Sequence, residues 1–276
     1  MAIDVERFFE LFLEELRVNT SFSSYYKYHE DSKSFAFRKA YFVQRLKYIH
    51  DVLRDAEKQE TILDIGCGYA TTALFLVLNG YKVHGTTLEF YYKHIPERIA
   101  YWKQYGDVSG LSVSYENLFD APPPAETYSN IIIQDTLHHL EPLQEALAIV
   151  YRTLKPGGRI IAIEENGNNI IQRMKLFKQR GNKRIITLYD ETLKKEILLG
   201  NENIRSLSVW KEEMKKQRLE VDPSSVQYIR YYFPRHFTRR PMEQVVEQEQ
   251  SIWRRNAFLK EFFFFGVNFL AVKQEC

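Results

Sequence analysis

One stretch constrains the fold more than any other. Between Thr61 and Ile163, short apolar runs alternate with segments of helical periodicity. The strand-like runs are Thr61–Ile65, Lys82–Thr86, Leu111–Tyr115, Asn130–Ile133 and Gly158–Ile163. Helical stretches near 70–79, 91–105 and 141–154 lie between them, stopped by Gly80 and by Pro156-Gly157-Gly158. Parallel neighbours in a sheet need a long crossover, usually a helix. The alternation therefore predicts a mostly parallel sheet with helices on both faces.

The flanks read differently. Residues 4–17 place Val5, Phe8, Phe9, Phe12, Leu13 and Leu16 on one helical face. A polar, tyrosine-rich stretch from Ser21 to His29 follows, containing Tyr25, Tyr26 and Tyr28, and then a second helix over about 35–57. These segments form an expected N-terminal cap of helices, residues 1–58. Past Glu165 the regularity gives way to two or three polar helices over about 168–220, read as a helical cap insertion spanning 166–220. Two further strands are expected at Val226–Tyr232 and Phe262–Val272. The cofactor-binding domain would then comprise 59–165 and 221–276.

Composition narrows the classes. At 32.8 kDa the chain can bury roughly three quarters of its unfolded surface. With 45% hydrophobic and 27% charged residues it is an ordinary globular chain, neither disordered nor fibrous. Cys67 and Cys276 cannot make a disulfide framework, and their spacing suits no zinc site. The acidic start Asp4-Val5-Glu6 does not look like a signal peptide. The most apolar run, Phe262–Val272, is well short of the roughly 20 residues that span a bilayer. A cytoplasmic protein is expected. The aromatic share is unusual, with 18 Tyr and 19 Phe, and suits a ring-lined pocket or a large core.

The first strand runs directly into a glycine loop, Ile62-Leu63-Asp64-Ile65-Gly66-Cys67-Gly68-Tyr69-Ala70. Glycines let the backbone turn tightly and approach a ligand, and the helix that follows offers free N–H groups to an anion. Thr71 stands where a dinucleotide fingerprint has its third glycine, and no Lys-Ser/Thr pair follows, so neither that fingerprint nor a P-loop is present. Four further landmarks follow in order: Gly85-Thr86-Thr87-Leu88-Glu89, Glu116-Asn117-Leu118-Phe119, Gln134-Asp135-Thr136-Leu137-His138-His139-Leu140 and Leu154-Lys155-Pro156-Gly157-Gly158-Arg159. With these five segments the sequence resembles the class I S-adenosylmethionine-dependent methyltransferases, over roughly 60–165 and 221–273.

The resemblance implies a Rossmann-like, seven-stranded, mostly parallel sheet whose last strand is antiparallel. It implies S-adenosylmethionine as cofactor. Gly66, Cys67 and Gly68 would contact its methionyl part, with Asp64 supporting the loop or the ammonium group. Thr87 or Glu89 would bind the ribose, and Asn117 and Leu118 the adenine. Gln134 would border the same site, and Tyr25 and Tyr28 would lie over it as part of a tyrosine lid.

Methyl transfer from a sulfonium needs alignment and water exclusion more than acid–base help. A base matters where the acceptor is a protonated hydroxyl, amine or carbon acid. His139, or else His138, could be that base at the end of the fourth strand. Glu165, with Glu164 and Asn166, ends the fifth strand at the same edge and could orient an acceptor. Tyr231, Tyr232 and Phe233 could line a pocket. Near-zero net charge conceals a polarised segment: 166–220 carries thirteen basic and seven acidic residues, a surplus of six. Six of these cations, Arg173, Lys175, Lys178, Arg180, Lys183 and Arg184, fall in one short run, and Ile170, Ile171, Met174 and Phe177 give the same helix an apolar face. Such a helix could receive acidic or phosphorylated acceptors, touch an anionic membrane, or pack its apolar face on the domain. The Asn/Asp-Pro-Pro-aromatic motif of exocyclic amino methyltransferases is missing after the fourth strand, so the resemblance does not extend to base-modifying N-methyltransferases. The expected reaction is therefore O- or C-methylation of a small molecule, without DNA. The rivals are a non-catalytic S-adenosylmethionine-binding module and an RNA methyltransferase using 173–184.

Overall fold

The computed structural model describes residues 3–19, 22–28, 30 and 32–274. The calls on Ser21, His29 and Cys276 lie outside these residues, as does the side chain of Glu89.

Three helices open the chain: α1 (Val5–Val18), α2 (Ser23–Tyr26) and α3 (Phe35–Leu53). Asp4 caps α1 by accepting the Arg7 N–H at 2.7 Å, and Val5, Phe8, Phe12 and Leu16 turn inward. The alternating region follows as β1 (Thr61–Ile65), α4 (Thr71–Leu78), β2 (Lys82–Thr87), a short 3-10 helix, and α5 (Ile95–Trp102). It continues with β3 (Leu111–Tyr115), β4 (Tyr128–Gln134), α6 (Leu143–Thr153) and β5 (Leu154–Glu165). Then come α7 (Ile170–Arg180), β6 (Ile185–Asp190), β7 (Lys195–Gly200), α8 (Leu207–Lys215), β8 (Leu219–Val221) and β9 (Gln227–Ile229). The chain ends with α9 (Pro234–Phe237), α10 (Met242–Arg255), α11 (Ala257–Phe263) and β10 (Gly266–Lys273).

The sheet runs β3-β2-β1-β4-β5-β10, and its outer position beyond β10 is shared by β8 and β9. It is thus seven positions wide. The pairs from β3 to β5 are parallel, while β10 lies antiparallel to β5 from Gly266↔Glu165 to Val272↔Arg159. Strand order reverses between β1 and β4. A cleft opens there above the carboxyl ends, because the crossovers from the two strands leave in opposite directions. One apolar core gathers α1, α3, α4 and α5 on one sheet face, and a second gathers α6 and α8 on the other.

The tail corrects three expectations. The insertion is not wholly helical: β6 and β7 form an antiparallel hairpin registered from Ile185↔Gly200 to Asp190↔Lys195. Their β-branched and aromatic residues favour a strand, which the surrounding charges masked. Helix α8 buries Leu207, Trp210 and Met214 in the core beneath the sheet, and β8 joins the sheet itself. What overhangs the cleft from this segment is therefore the hairpin, with α7 preceding it in the chain. Finally, the strand expected over Phe262–Val272 begins only at Gly266. Phe262 belongs to α11, where its ring meets that of Phe258 one turn away in a tilted contact with centroids 5.1 Å apart. The strand expected over Val226–Tyr232 shortens to Gln227–Ile229, since Arg230 takes φ 66 and the carboxylate of Glu249 accepts the next two backbone N–H groups.

Candidate active site

β1 delivers the chain to a turn at Gly66 and Gly68, whose φ angles of 72 and 55 lie in the left-handed region open to glycine. A Cβ on Gly66 would stand 2.3 Å from Cγ2 of Thr136, so the loop after β4 can approach only a glycine there. A Cβ on Gly68 would meet nothing within 4 Å, and Gly68 borders an open cavity. The loop is thus free for a ligand to approach its backbone. Burial pushes the Cys67 thiol up, which leaves it a packing group above Gly85 rather than a nucleophile.

The loop is braced from below. Buried Arg98 donates to the carbonyl of Tyr69 at 2.5 Å and to the Thr71 hydroxyl at 2.7 Å, while its other nitrogens pair with Glu15 of α1. Trp102 donates to the same Glu15 carboxylate at 2.8 Å. Neither charge is exposed, so each depends on the other for compensation. The Tyr26 hydroxyl, 2.6 Å from that of Thr71, ties α2 into the network, and burial raises its pKa to about 12.

The cavity measures about 780 Å³. One end is built by the glycine loop, Thr87 at the end of β2 with Leu88 after it, Asn117 and Leu118 after β3, and Gln134 of β4. Asp64 borders it while only 2% exposed, and its carboxyl has no hydrogen-bond partner among the described residues. Burial lifts that carboxyl to about 7. An unpartnered buried carboxyl beside an open glycine backbone fits a zwitterionic amino-acid moiety, whose ammonium it could meet. Asn117 spends one lone pair of its amide oxygen on the Phe119 N–H at 3.1 Å, leaving the other and the amide N–H groups available. Gln134 accepts from the Thr72 hydroxyl at 2.9 Å, and the Thr87 hydroxyl donates to the Leu88 carbonyl at 3.3 Å.

The opposite end is assembled from distant segments. Tyr28, Tyr41 and Arg45 come from α3 and the link before it, His139 from the turn after β4, and Leu188, Leu198 and Gly200 from the hairpin, while Tyr25 of α2 packs on Tyr69 of the glycine loop with ring centroids 5.2 Å apart. Arg45 and Asp135 form an ion pair across this end, with the Arg45 guanidinium 4.6 Å from the Tyr41 ring centre. The His139 Nδ1 lies 2.7 Å from the Gly200 carbonyl. A carbonyl only accepts, so Nδ1 carries the hydrogen and Nε2 keeps the lone pair of the neutral ring. A Cβ on Gly200 would fall 2.0 Å from the His138 carbonyl, which is why the hairpin can press this close.

Eleven of the fourteen site residues read from the sequence meet around this cavity: Asp64, Gly66, Cys67, Gly68, Thr87, Asn117, Leu118, Gln134, Tyr25, Tyr28 and His139. His138 and Glu165 are not among its lining residues. Buried His138 holds Glu164 at 2.6 Å through Nδ1, and Glu164 also accepts the Leu137 N–H at 2.8 Å. Burial alone would lower the His138 pKa, but the Glu164 carboxylate prevails and raises it to about 9. At neutral pH this ring is already protonated and cannot accept a proton. Glu165 takes a hydrogen bond from Gln172, and burial raises its pKa against the pull of Arg230. His138, His139 and Glu202 offer ligand atoms within 4.8 Å of one another, yet an imidazolium at His138 opposes a metal ion there. The basic run 173–184 also stays out of the cavity, as do Tyr231, Tyr232 and Phe233.

Arg45, Asp135, Arg98, Glu15 and the hairpin were not anticipated. Glu15 had a readable signal: it falls on the apolar face of α1, seven residues after Phe8.

Residues 63–162 match the family described as "Methyltransferase domain". The chain is 24% identical over 170 residues to a demethylmenaquinone methyltransferase of Geobacillus sp., covering 59% of this chain and 69% of that protein. Residues 63–162 thus carry a methyltransferase domain, in line with the resemblance to the class I S-adenosylmethionine-dependent methyltransferases. The fold recurs in a solved geranyl diphosphate methyltransferase with a TM-score of 0.58, 15% identity and coverage of 89% of this chain and 84% of the other. It recurs in phosphoethanolamine N-methyltransferase 2 of Haemonchus contortus, solved with S-adenosyl-L-methionine, with a TM-score of 0.57, 16% identity and coverage of 93% and 60%. A methyltransferase domain implies S-adenosylmethionine as cofactor, and among the described residues no helix is long and apolar enough to cross a membrane.

Proposed function

We propose that this methyltransferase modifies a small-molecule acceptor at oxygen or carbon, with His139 as general base. The observation that carries the reading is the His139–Gly200 hydrogen bond, which leaves a basic Nε2 on a residue bordering the cavity. Asp64, Gly66, Cys67 and Gly68 would hold the methionyl part of the cofactor, Thr87 or Glu89 the ribose, and Asn117 and Leu118 the adenine, with Gln134 bordering the same site. When bound, S-adenosylmethionine supplies an activated methyl group on a sulfonium. The chain's own task is then to seat the acceptor, exclude water and take a proton. Tyr25 and Tyr28 contribute rings over the cleft, and the hairpin leucines provide an apolar wall. Positioning of this kind is worth roughly 7–11 kcal/mol in favourable systems, and a placed base adds roughly 10²–10⁴-fold.

Acceptors named by the relatives range from demethylmenaquinone to phosphoethanolamine, so the atom methylated has to be measured. Labelled methyl transfer from the cofactor into metabolite and lipid extracts, followed by product NMR, identifies it. His139→Ala should lower turnover at least a hundredfold while S-adenosylhomocysteine still raises the melting temperature. Methylation at nitrogen, or full turnover by that variant, would overturn the reading.

A further inference from the structure

We propose that α7 is an interfacial anchor that docks this methyltransferase on an anionic lipid surface. The helix packs only one side against the protein, burying Gln172 and Leu176. At 100° per residue, Ile170, Met174 and Phe177 form a stripe on the opposite side, with Ile171 at its edge. That stripe faces solvent: Met174 is 69% exposed, Phe177 63%, and Ile170 and Ile171 40% each. Helix-forming sequences normally turn such a stripe to the core, so its outward placement marks a surface that water does not favour.

The charges settle which partner fits. Arg173 and Lys178 flank the stripe on either side, and Lys175 and Arg180 lie further round. No acidic residue occurs from Gly167 to Tyr189, and Arg173, Lys175 and Lys178 have no ion-pair partner among the described residues. An apolar ridge between rows of unpaired cations matches the boundary of an anionic bilayer, where rings and alkyl chains enter the acyl region and cations meet headgroups. A second copy would bring like charges together. RNA would use the cations and leave the apolar ridge unexplained. The ridge is also placed to matter. α7 leads directly into the hairpin, whose Leu188 and Leu198 border the cavity yet stay 44% and 39% exposed.

The full chain is mixed with phosphatidylcholine vesicles with and without 30 mol% phosphatidylglycerol, and partitioning is read by co-sedimentation. Binding to the anionic vesicles that falls with salt is expected. Met174→Glu with Phe177→Glu should reduce it at least tenfold, and Lys175→Gln with Lys178→Gln about 25-fold, at about fivefold per neutralised cation. These side chains are exposed, so melting temperature and S-adenosylhomocysteine binding should not change. That keeps failure here distinct from failure of the acceptor reading. The proposal is overturned by equal binding to neutral vesicles, by no binding to either, or by partitioning indifferent to the variants. It is equally overturned if the glutamates instead abolish a concentration-dependent dimer, or if the cations bind RNA while the ridge has no effect.

Discussion

The two ends of the cavity are built on opposite principles. The end proposed for the cofactor, the donor end, is made by consecutive turns at the carboxyl ends of β1, β2, β3 and β4, so each wall lies within a few residues of a strand. The end proposed for the acceptor is made by the α2–α3 link, α3, the β4 turn and a hairpin, brought together from positions as distant as Tyr28 and Gly200. A fold fixes the first kind of site through backbone geometry, whereas the second depends on side chains that meet only in three dimensions. That difference can be attacked from either end.

The harshest test falls on the brace beneath the donor loop. Arg98→Met leaves Glu15 charged and buried without its partner, at a cost of about 3–5 kcal/mol. Urea unfolding should show that loss. It should also show one transition, because Glu15 lies on α1 while Arg98 holds Tyr69 and Thr71 of the glycine loop. Two separate transitions would mean that the N-terminal helices are a detachable lid, and the contrast between the two ends would then be a contrast between domains.

His138 tests the acceptor edge. Its folded pKa near 9 lies above the unfolded value of 6.5. The folded state therefore holds a proton more tightly, and the stabilisation is fully present below pH 6.5 and lost as pH rises through 9. The span corresponds to roughly 3 kcal/mol, and to slightly more at the full separation. The difference in unfolding free energy between wild type and His138→Gln should shrink across that window. A constant difference would show that the ring is not held as an imidazolium by Glu164.

How much of each end was legible follows the same division. Gly66, Gly68, Thr87 and Asn117 could be read because a strand, a turn and a spacing locate them. His139 could be read because it follows β4, but its neighbour His138 could not be separated from it: one residue around a 3-10 turn decides which ring meets the cavity and which meets Glu164. The hairpin was missed because Asp190, Glu191 and Lys194 to Glu196 make its two strands look like a polar helical run. The stripe of α7 could be read, but not the direction in which it faces. Helical periodicity says that a face is apolar, and only packing says whether anything covers it.

Asp64 offers a gentler probe of the donor end. Its folded pKa near 7 exceeds the ordinary 3.8, so in the free protein it keeps a proton between those values. An ammonium group binds best to the carboxylate, and that proton must leave first. Affinity for S-adenosylhomocysteine should therefore climb as pH rises from 5.5, by up to about tenfold per unit, and level off above 7. Calorimetry on Asp64→Asn should find weaker binding and no such slope. A parallel slope in the variant would assign the proton to another group.

The smallest expected effect separates the two ends most cleanly. The Tyr115 hydroxyl, at the end of β3, donates to Asp190 at 2.7 Å and so ties the hairpin to the sheet. That donor also helps to keep the Asp190 carboxyl below its usual range, against the opposing effect of burial. Removing it in Tyr115→Phe costs about 1 kcal/mol. The loss is local, because the hairpin keeps its Leu140↔Leu199 bridge and the His139–Gly200 hydrogen bond. A hairpin that opens more often should raise the acceptor KM about fivefold with little change in kcat. S-adenosylhomocysteine affinity should stay the same, since the donor end keeps every strand-borne wall. If cofactor affinity fell in step with the KM, the hairpin would belong to both ends, and the division between a strand-built donor site and an assembled acceptor site would fail.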